Sequence, residues 1–451
     1  MQRLEPEESR RADWRFLLPT AGQLEPVAVA DPESDQFEQL QAALQAGGAC
    51  YLEWSSRIRP SARSVTRRLE RAGFVDIRLY WSRPRLGPSV WVPLDAPATI
   101  RWVLRRRRGR RLLSGAWLAL CAAGLVRPRC ATARRPPAGE QVGPLGAPLD
   151  DLDGRPVWAL LAPGSDPLNK IVAFVGTQDR DKPALVLKMP RTEATVSALE
   201  REAASLQALG ATQAPPPGIP QLLFTYRDGE ELRAIAETPL EGRPLFESLD
   251  RSRYPELARS ATEWLVELGR AAENPRGRTE TPADVAADAA AHASPADRDL
   301  LLGAGRVAAA CEELPVVFEQ RDFSPWNVHL APGGGLVVFD WESAEPAGFP
   351  LLDLVYLLAY CGFLLDGALE GERARASYVR TFADGVAEEC LARYCGAFAI
   401  DTDRVPALRT LTWLVHARAA LRRDPSGTSA APFLDLLREE VMGGAVGGAA
   451  A

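Results

Sequence analysis

The chain has 451 residues, 46% hydrophobic and 25% charged, with a formal net charge of −6. At about 150 residues per domain this predicts two or three units with sizeable cores and excludes a single small module. The seven cysteines are odd in number, irregularly spaced and without a C-x-x-C pair, so neither a disulfide framework nor a zinc site organises the fold, and a reducing cytoplasm is the expected setting.

The opening residues MQRLEPEESRRADW lack the basic-then-apolar order of a secretory signal, so no export is expected. FLLP and PVAVAD then read as strands, FEQLQAALQAGGACYLEW as helix, turn and strand, and SARSVTRRLERAGFVDIRLYWS as a further helix–strand unit, which predicts an α/β region over 1–100. The turn Gly47-Gly48 before Ala49–Glu53, with the turn Arg71–Phe74 before Val75–Tyr80, resembles the C-terminal half of class I methyltransferases. Such enzymes bind their cofactor at a glycine-rich turn after the first strand. Nothing before residue 47 is similar to one, so the resemblance implies a remnant or structural appendage.

Residues 101–111, RWVLRRRRGRR, hold seven arginines and no acid, and the apolar run LLSGAWLALCAAGLV follows. A helix over that run is about 22 Å long, short of the ~30 Å hydrocarbon core, which argues against a transmembrane span. The arginines are ranked first as a solvated or intramolecular face, second as a peripheral contact with anionic lipid over 101–126, and last as a nucleic-acid contact, because no aromatic residues interleave them. The Pro-, Gly- and Arg-rich residues 127–150 read as an interdomain linker.

Residues 157–176 form two apolar runs joined by a turn with Gly164 and Ser165, a hairpin able to cover phosphates with backbone N–H groups. PALVLKMPR (183–191) reads as a strand with Lys188 near its end, and VSALEREAASLQAL (196–209) as a helix. A compact ammonium braced by a helix carboxylate suits a nucleotide's phosphates. Glu193, Glu200 and Glu202 compete for that role. Glu202 falls three after Leu199 and four before Leu206, beside the inward apolar stripe, and is the one chosen. Lysine itself is scarce: Lys170, Lys182 and Lys188 are the only three, and all other basic residues are arginine. The Pro-rich turn 214–220, a hairpin and a connector follow, and from Pro255 onward the composition predicts a helical region. His292, His329 and His416 lack metal-ligand spacing and read as structural or surface residues.

One stretch interrupts that helical region. Residues 318–342 read FEQRDFSPWNVHLAPGGGLVVFDWE: Asp322, then Asn327 five residues on, a glycine turn, and an apolar strand ending at Asp340. Phosphoryl transfer needs a carboxylate beside the acceptor hydroxyl and two oxygen ligands for Mg²⁺, and these three residues are of the required types.

The segment resembles the H-G-D-x-x-x-x-N and I-D-[WFY]-E pattern of the aminoglycoside phosphotransferase and choline kinase superfamily. Asp340-Trp341-Glu342, with Pro350–Leu354 behind it, fits as well; the family's His is Gln320 here and its Gly is Arg321. The resemblance implies an α+β, two-lobed protein kinase-like fold, with a small β-rich lobe over 151–240 and a helical large lobe over 241–442; the composition GGAVGGAAA reads as a flexible tail over 443–451. The resemblance also implies ATP and Mg²⁺ as cofactors and a small-molecule hydroxyl as acceptor. It casts Asp322 as base, Asn327 and Asp340 as metal ligands, and Lys188 with Glu202 as the phosphate anchor. It also casts Ala236, Glu237 and Thr238 as the connector facing adenine, Pro239 lacking an N–H. Asp353 has two readings, a helix cap or a brace of the catalytic loop. The acidic stretch 273–300 would attract a cationic acceptor, although acid-rich helices are ordinarily just solvated. The alternative function is a nucleotide-binding pseudokinase or scaffold docked through the arginine-rich segment. Neither the acceptor's identity nor the oligomeric state is legible.

Overall fold

The structure is a computed structural model that describes residues 13–18, 27–30, 36–54, 59–82, 89–94, 126–136, 154–162, 169–177, 182–212, 214–271, 277–424 and 426–447, with single positions at 96, 144, 147, 149 and 152. The turn with Gly164 and Ser165 and the arginine-rich residues 101–111 lie outside the described residues. The chain divides into two compact units, residues 1–203 with 220–239 and residues 204–219 with 240–451.

The first unit is built on one ten-stranded sheet in the order β1-β2-β5-β3-β4-β6-β7-β8-β10-β9. Its strands are β1 (Val27–Ala30), β2 (Ala49–Glu53), β3 (Val75–Ser82), β4 (Ser89–Pro93), β5 (Cys130–Arg134), β6 (Pro156–Ala162), β7 (Ile171–Thr177), β8 (Leu185–Met189), β9 (Leu222–Asp228) and β10 (Glu231–Glu237). Helices α1 (Gln36–Ala43) and α2 (Ala62–Arg71) precede β2 and β3, and α3 (Glu193–Gly210) follows β8. Strands β6 to β8 are almost continuously buried, as their unbroken apolar runs predict, whereas β9 at the sheet edge alternates between half-buried and exposed positions.

The sheet does not stop at the stretch expected as a linker. Residues 130–134 form β5, which pairs antiparallel with β2 on one side and β3 on the other. Strand β4 then pairs with β6, Val90 opposite Leu161 and Trp91 opposite Leu160. Strands before and after residue 150 therefore share a core in which Tyr80, Trp91 and Cys130 pack with Trp158, Leu160, Ile171 and Leu187. The guanidinium of the buried Arg78 lies 4.0 Å from the Trp158 ring centroid. Asp13, 1% exposed, grips Arg191 through both oxygens, Oδ1 to Nε at 3.0 Å and Oδ2 to Nη2 at 2.5 Å.

The second unit is mainly helical: α4 (Tyr254–Ala271), α5 (Pro282–His292), α6 (Pro295–Ala308), α7 (Leu352–Asp366), α8 (Gly371–Phe382), α9 (Gly385–Ala397), α10 (Val405–Arg423) and α11 (Ala431–Gly447). Helix α5 begins with a capping box between Thr281 and Asp284 and a proline in its first turn. Short strands interrupt the helices. They are β11 (Arg243–Pro244), β12 (Val317–Glu319), β13 (Val328–Leu330), β14 (Leu336–Val338) and β15 (Glu345–Gly348). The core beneath them is aromatic: Trp264 stacks on Phe323 at 5.4 Å and lies 6.3 Å from Trp341. Gly218 in the Pro-rich turn is pressed against β14, its carbonyl accepting from Val338 N–H at 2.9 Å. Its φ is +88° and a Cβ there would fall 1.9 Å from the Leu336 carbonyl oxygen, so only glycine fits. Among the described residues no single helix is long and apolar enough to cross a membrane.

If residue 13 is an integral part of the first unit, Asp13→Ala leaves the Arg191 guanidinium buried without its carboxylate. Stability should fall by roughly 3–5 kcal/mol, measured by denaturant unfolding; an unchanged midpoint would refute the pairing.

Candidate active site

The first unit carries a cluster of four ionisable groups, three of them buried and Lys170 half-buried. Lys188 extends from β8 and its Nζ lies 2.5 Å from Glu202 Oε1 on α3 and 3.0 Å from Glu237 Oε1 at the end of β10. Lys170, just before β7, reaches the other oxygen of Glu202 at 2.8 Å. Glu202 is fully buried, whereas Glu193 is exposed and Glu200 pairs with Arg227 at the surface. Burial pushes the Glu202 carboxyl up, but the Lys188 and Lys170 ammonium groups outweigh it and hold the group ionised, well below the usual range. Burial also pushes Glu237 up, to about 7, reinforced by the Glu202 charge and only partly opposed by Lys188. Two of the chain's three lysines thus converge on one glutamate. Lys170 and the Glu237 side chain are not predicted from the sequence; the scarcity of lysine was the available signal for the first.

The connector residues sit at the end of the sheet. Ala236 and Glu237 lie in β10, paired with Leu187 and Val186 of β8. The Thr238 N–H donates to the Gln221 carbonyl at 3.0 Å and its hydroxyl accepts from Gln221 N–H at 2.9 Å. The Thr238 amide is thereby engaged within the sheet's own edge.

The second unit holds the catalytic-type loop. Strands β13 and β14 pair with Val328 opposite Val338, and the Asn327 carbonyl accepts from Phe339 N–H at 3.0 Å. That register brings Asn327 and Asp340 to the same end of the hairpin, where Asp322 also lies. Asn327 Nδ2 donates to Asp322 Oδ2 at 2.7 Å and to the Asp322 carbonyl at 3.1 Å. Burial and the neighbouring Asp340 charge push the Asp322 carboxyl up to about 7, with the Asn327 hydrogen bond pulling the other way.

Gln320 ties this arrangement together. Its Oε1 accepts from Asp322 N–H at 2.8 Å, and its Nε2 donates to the carbonyls of Asp340 at 2.6 Å and Phe339 at 3.2 Å. An amide supplies donor and acceptor at once, so the position that departs from the expected His is fully bonded. Asp353 does not cap its own helix; its oxygens accept the N–H groups of Gln320 at 2.7 Å and Arg321 at 2.8 Å. Arg321 has a φ of +64°, a conformation suited to glycine and costing other residues about 1–2 kcal/mol. Contacts offset that cost: Arg321 reaches Glu319 at 3.0 Å and Glu280 at 3.4 Å. Of the histidines, His416 is half-buried and stacked on Tyr356 at 3.9 Å, and its desolvation pushes the imidazole down to a pKa of about 3.

The model of the phosphotransferase enzyme family matches residues 161–390, just over half of the chain. The chain belongs to that family. Its architecture is mixed α+β, with one sheet-based unit and one mainly helical unit. Solved structures similar to it include a thermostable mutant of aminoglycoside phosphotransferase APH(4)-Ia, 16% identical over 64% of this chain and 95% of the other, TM-score 0.45. Aminoglycoside 2'-phosphotransferase-IIIa in its GDP complex is 16% identical over 61% and 90%, TM-score 0.39. APH(3'')-Id from Streptomyces rimosus, with ADP and streptomycin, is 18% identical over 54% and 90%, TM-score 0.37. No curated protein sequence matches the chain.

If Gln320 is the residue that ties the loop together, Gln320→Ala should lower the unfolding free energy by roughly 1–3 kcal/mol, since it strands a buried N–H and two carbonyls. Gln320→Glu, which cannot donate when ionised, should not restore it. Equal unfolding midpoints for wild type and Gln320→Ala would contradict the role.

Proposed function

We propose that the protein moves the γ-phosphoryl group of ATP to a hydroxyl of a small molecule, with Asp322 as the base. The observation that carries this reading is a buried carboxyl with a pKa near neutrality, hydrogen-bonded to the Asn at the expected spacing, beside a second carboxylate. A base poised at about 7 both exists ionised and accepts a proton readily at neutral pH. As the acceptor oxygen bonds to the γ-phosphorus and the bond to the β,γ-bridging oxygen breaks, the hydroxyl proton passes to Asp322 and ADP leaves.

Asn327 and Asp340 are the residues to hold Mg²⁺. The fit is chemical: both are hard oxygen donors, and Asn327 points its amide nitrogen at Asp322, leaving its oxygen for a cation. When bound, the ion neutralises charge on the phosphates. The backbone on which these ligands sit is fixed by the hairpin register and by Gln320. Lys188, oriented by the ionised Glu202, is the phosphate-binding cation, with Lys170 sharing the same carboxylate. Favouring catalysis over a scaffold role, Gln320 and Arg321 make a complete set of bonds around the loop, and the base and ligand types are intact.

Asp322→Asn should lower acceptor-dependent ATP turnover by roughly 10²–10⁴-fold with nucleotide affinity nearly unchanged; a variant keeping most of its activity would overturn the assignment. The pH profile follows from the raised pKa. Asp322 must be ionised to take the proton, so kcat/KM should rise with unit slope as pH approaches about 7 and level off above it. A profile flat between pH 5.5 and 8 would contradict a base with this pKa.

A further inference from the structure

Aromatic side chains gather at the loop that bears Asp322. Trp326, four residues beyond the base on the same loop, is 39% exposed, an unusual state for an indole. Its ring meets the edge of Tyr360 at 5.5 Å and lies 6.3 Å from Phe246. Tyr360 in turn packs on Tyr356 at 4.6 Å. The loop bearing Trp326 is held at this point, because the Pro325 carbonyl accepts from Phe246 N–H at 3.1 Å. Both tyrosines lie within electrostatic reach of the Asp322 carboxylate, Tyr356 buried and Tyr360 half-buried.

We propose that the acceptor is an alcohol carrying a flat unsaturated ring, seated on Trp326 and Tyr360 with its hydroxyl at Asp322. This rests on the phosphotransferase reading above and narrows it to a substrate class. Ring stacking on an exposed indole gives affinity without demanding a particular hydrogen-bond pattern.

The test is Mg²⁺-dependent ATP turnover by the full chain with 4-hydroxybenzyl alcohol, pyridoxine and uridine, set against kanamycin and choline. The ring-bearing alcohols should be preferred, and Trp326→Ala should raise their KM roughly tenfold while moving the KM for ATP less than twofold, with Trp326→Phe recovering most of the loss. Turnover confined to kanamycin or choline, or an acceptor KM indifferent to Trp326→Ala, would overturn the aromatic subsite and leave the phosphotransferase reading standing. Should no compound be turned over, saturation-transfer NMR of the same ring-bearing alcohols with ADP present decides the subsite separately from the chemistry. Saturation transfer to the ring protons that is seen in wild type and vanishes in Trp326→Ala supports it, and no transfer in wild type overturns it.

Discussion

The buried carboxylate of Asp353 is the constraint on which the catalytic-type loop depends. Two adjacent amides, those of Gln320 and Arg321, converge on its oxygens. Adjacent N–H groups normally point apart along an extended chain; gathering them on one acceptor forces a sharp turn, and Arg321 takes up the left-handed conformation that the turn requires. With the backbone so bent, the Gln320 side chain lies between the Asp322 amide and the Asp340 carbonyl. One ungiving acceptor beneath the loop thus fixes the relative positions of the Asp322 and Asp340 backbones. Burial and the Glu319 charge push Asp353 up to about 7, while the two amides pull it back.

The same arrangement explains how the loop tolerates Gln-Arg in place of the family's His-Gly. A neutral imidazole and a primary amide each offer one donor and one acceptor edge, so Gln320 performs a bridging task that carries no requirement for a titratable group. Arginine lacks glycine's freedom at positive φ, but its guanidinium is surrounded by Glu319, Glu280 and Glu345. The Glu280 carboxylate binds Arg418 as well, linking the loop to α10. Backbone strain at Arg321 is offset by a charge network that glycine could not join.

Much of the site was legible because its parts are local or periodic. Asp322, Asn327 and Asp340 lie within one hairpin-containing segment whose resemblance to the phosphotransferase pattern implies their meeting; Lys188 and Glu202 follow from strand and helix periodicity taken with that resemblance. What was not legible is non-local. Residues 130–134 have too little apolar character and too many Pro, Gly and Arg neighbours to read as a strand, and they become one because β2 and β3 offer hydrogen-bonding edges on both sides. Lys170 meets Glu202 across 32 residues and Glu237 meets Lys188 across the sheet, pairings that no local pattern encodes. The Asp353 brace, left open between two readings, is decided by two hydrogen bonds that span more than thirty residues.

The central claim is that this loop still performs chemistry. Phosphorus-31 NMR of the purified protein with ATP, Mg²⁺ and a mixture of ring-bearing alcohols, amino-alcohols and sugars tests it most directly. A working phosphotransferase should deplete the γ-phosphate resonance, build up ADP and give a new phosphomonoester signal that appears only with the acceptor mixture present. ATP resonances broadened by binding yet undiminished over hours, with no phosphomonoester formed from any acceptor, would contradict it.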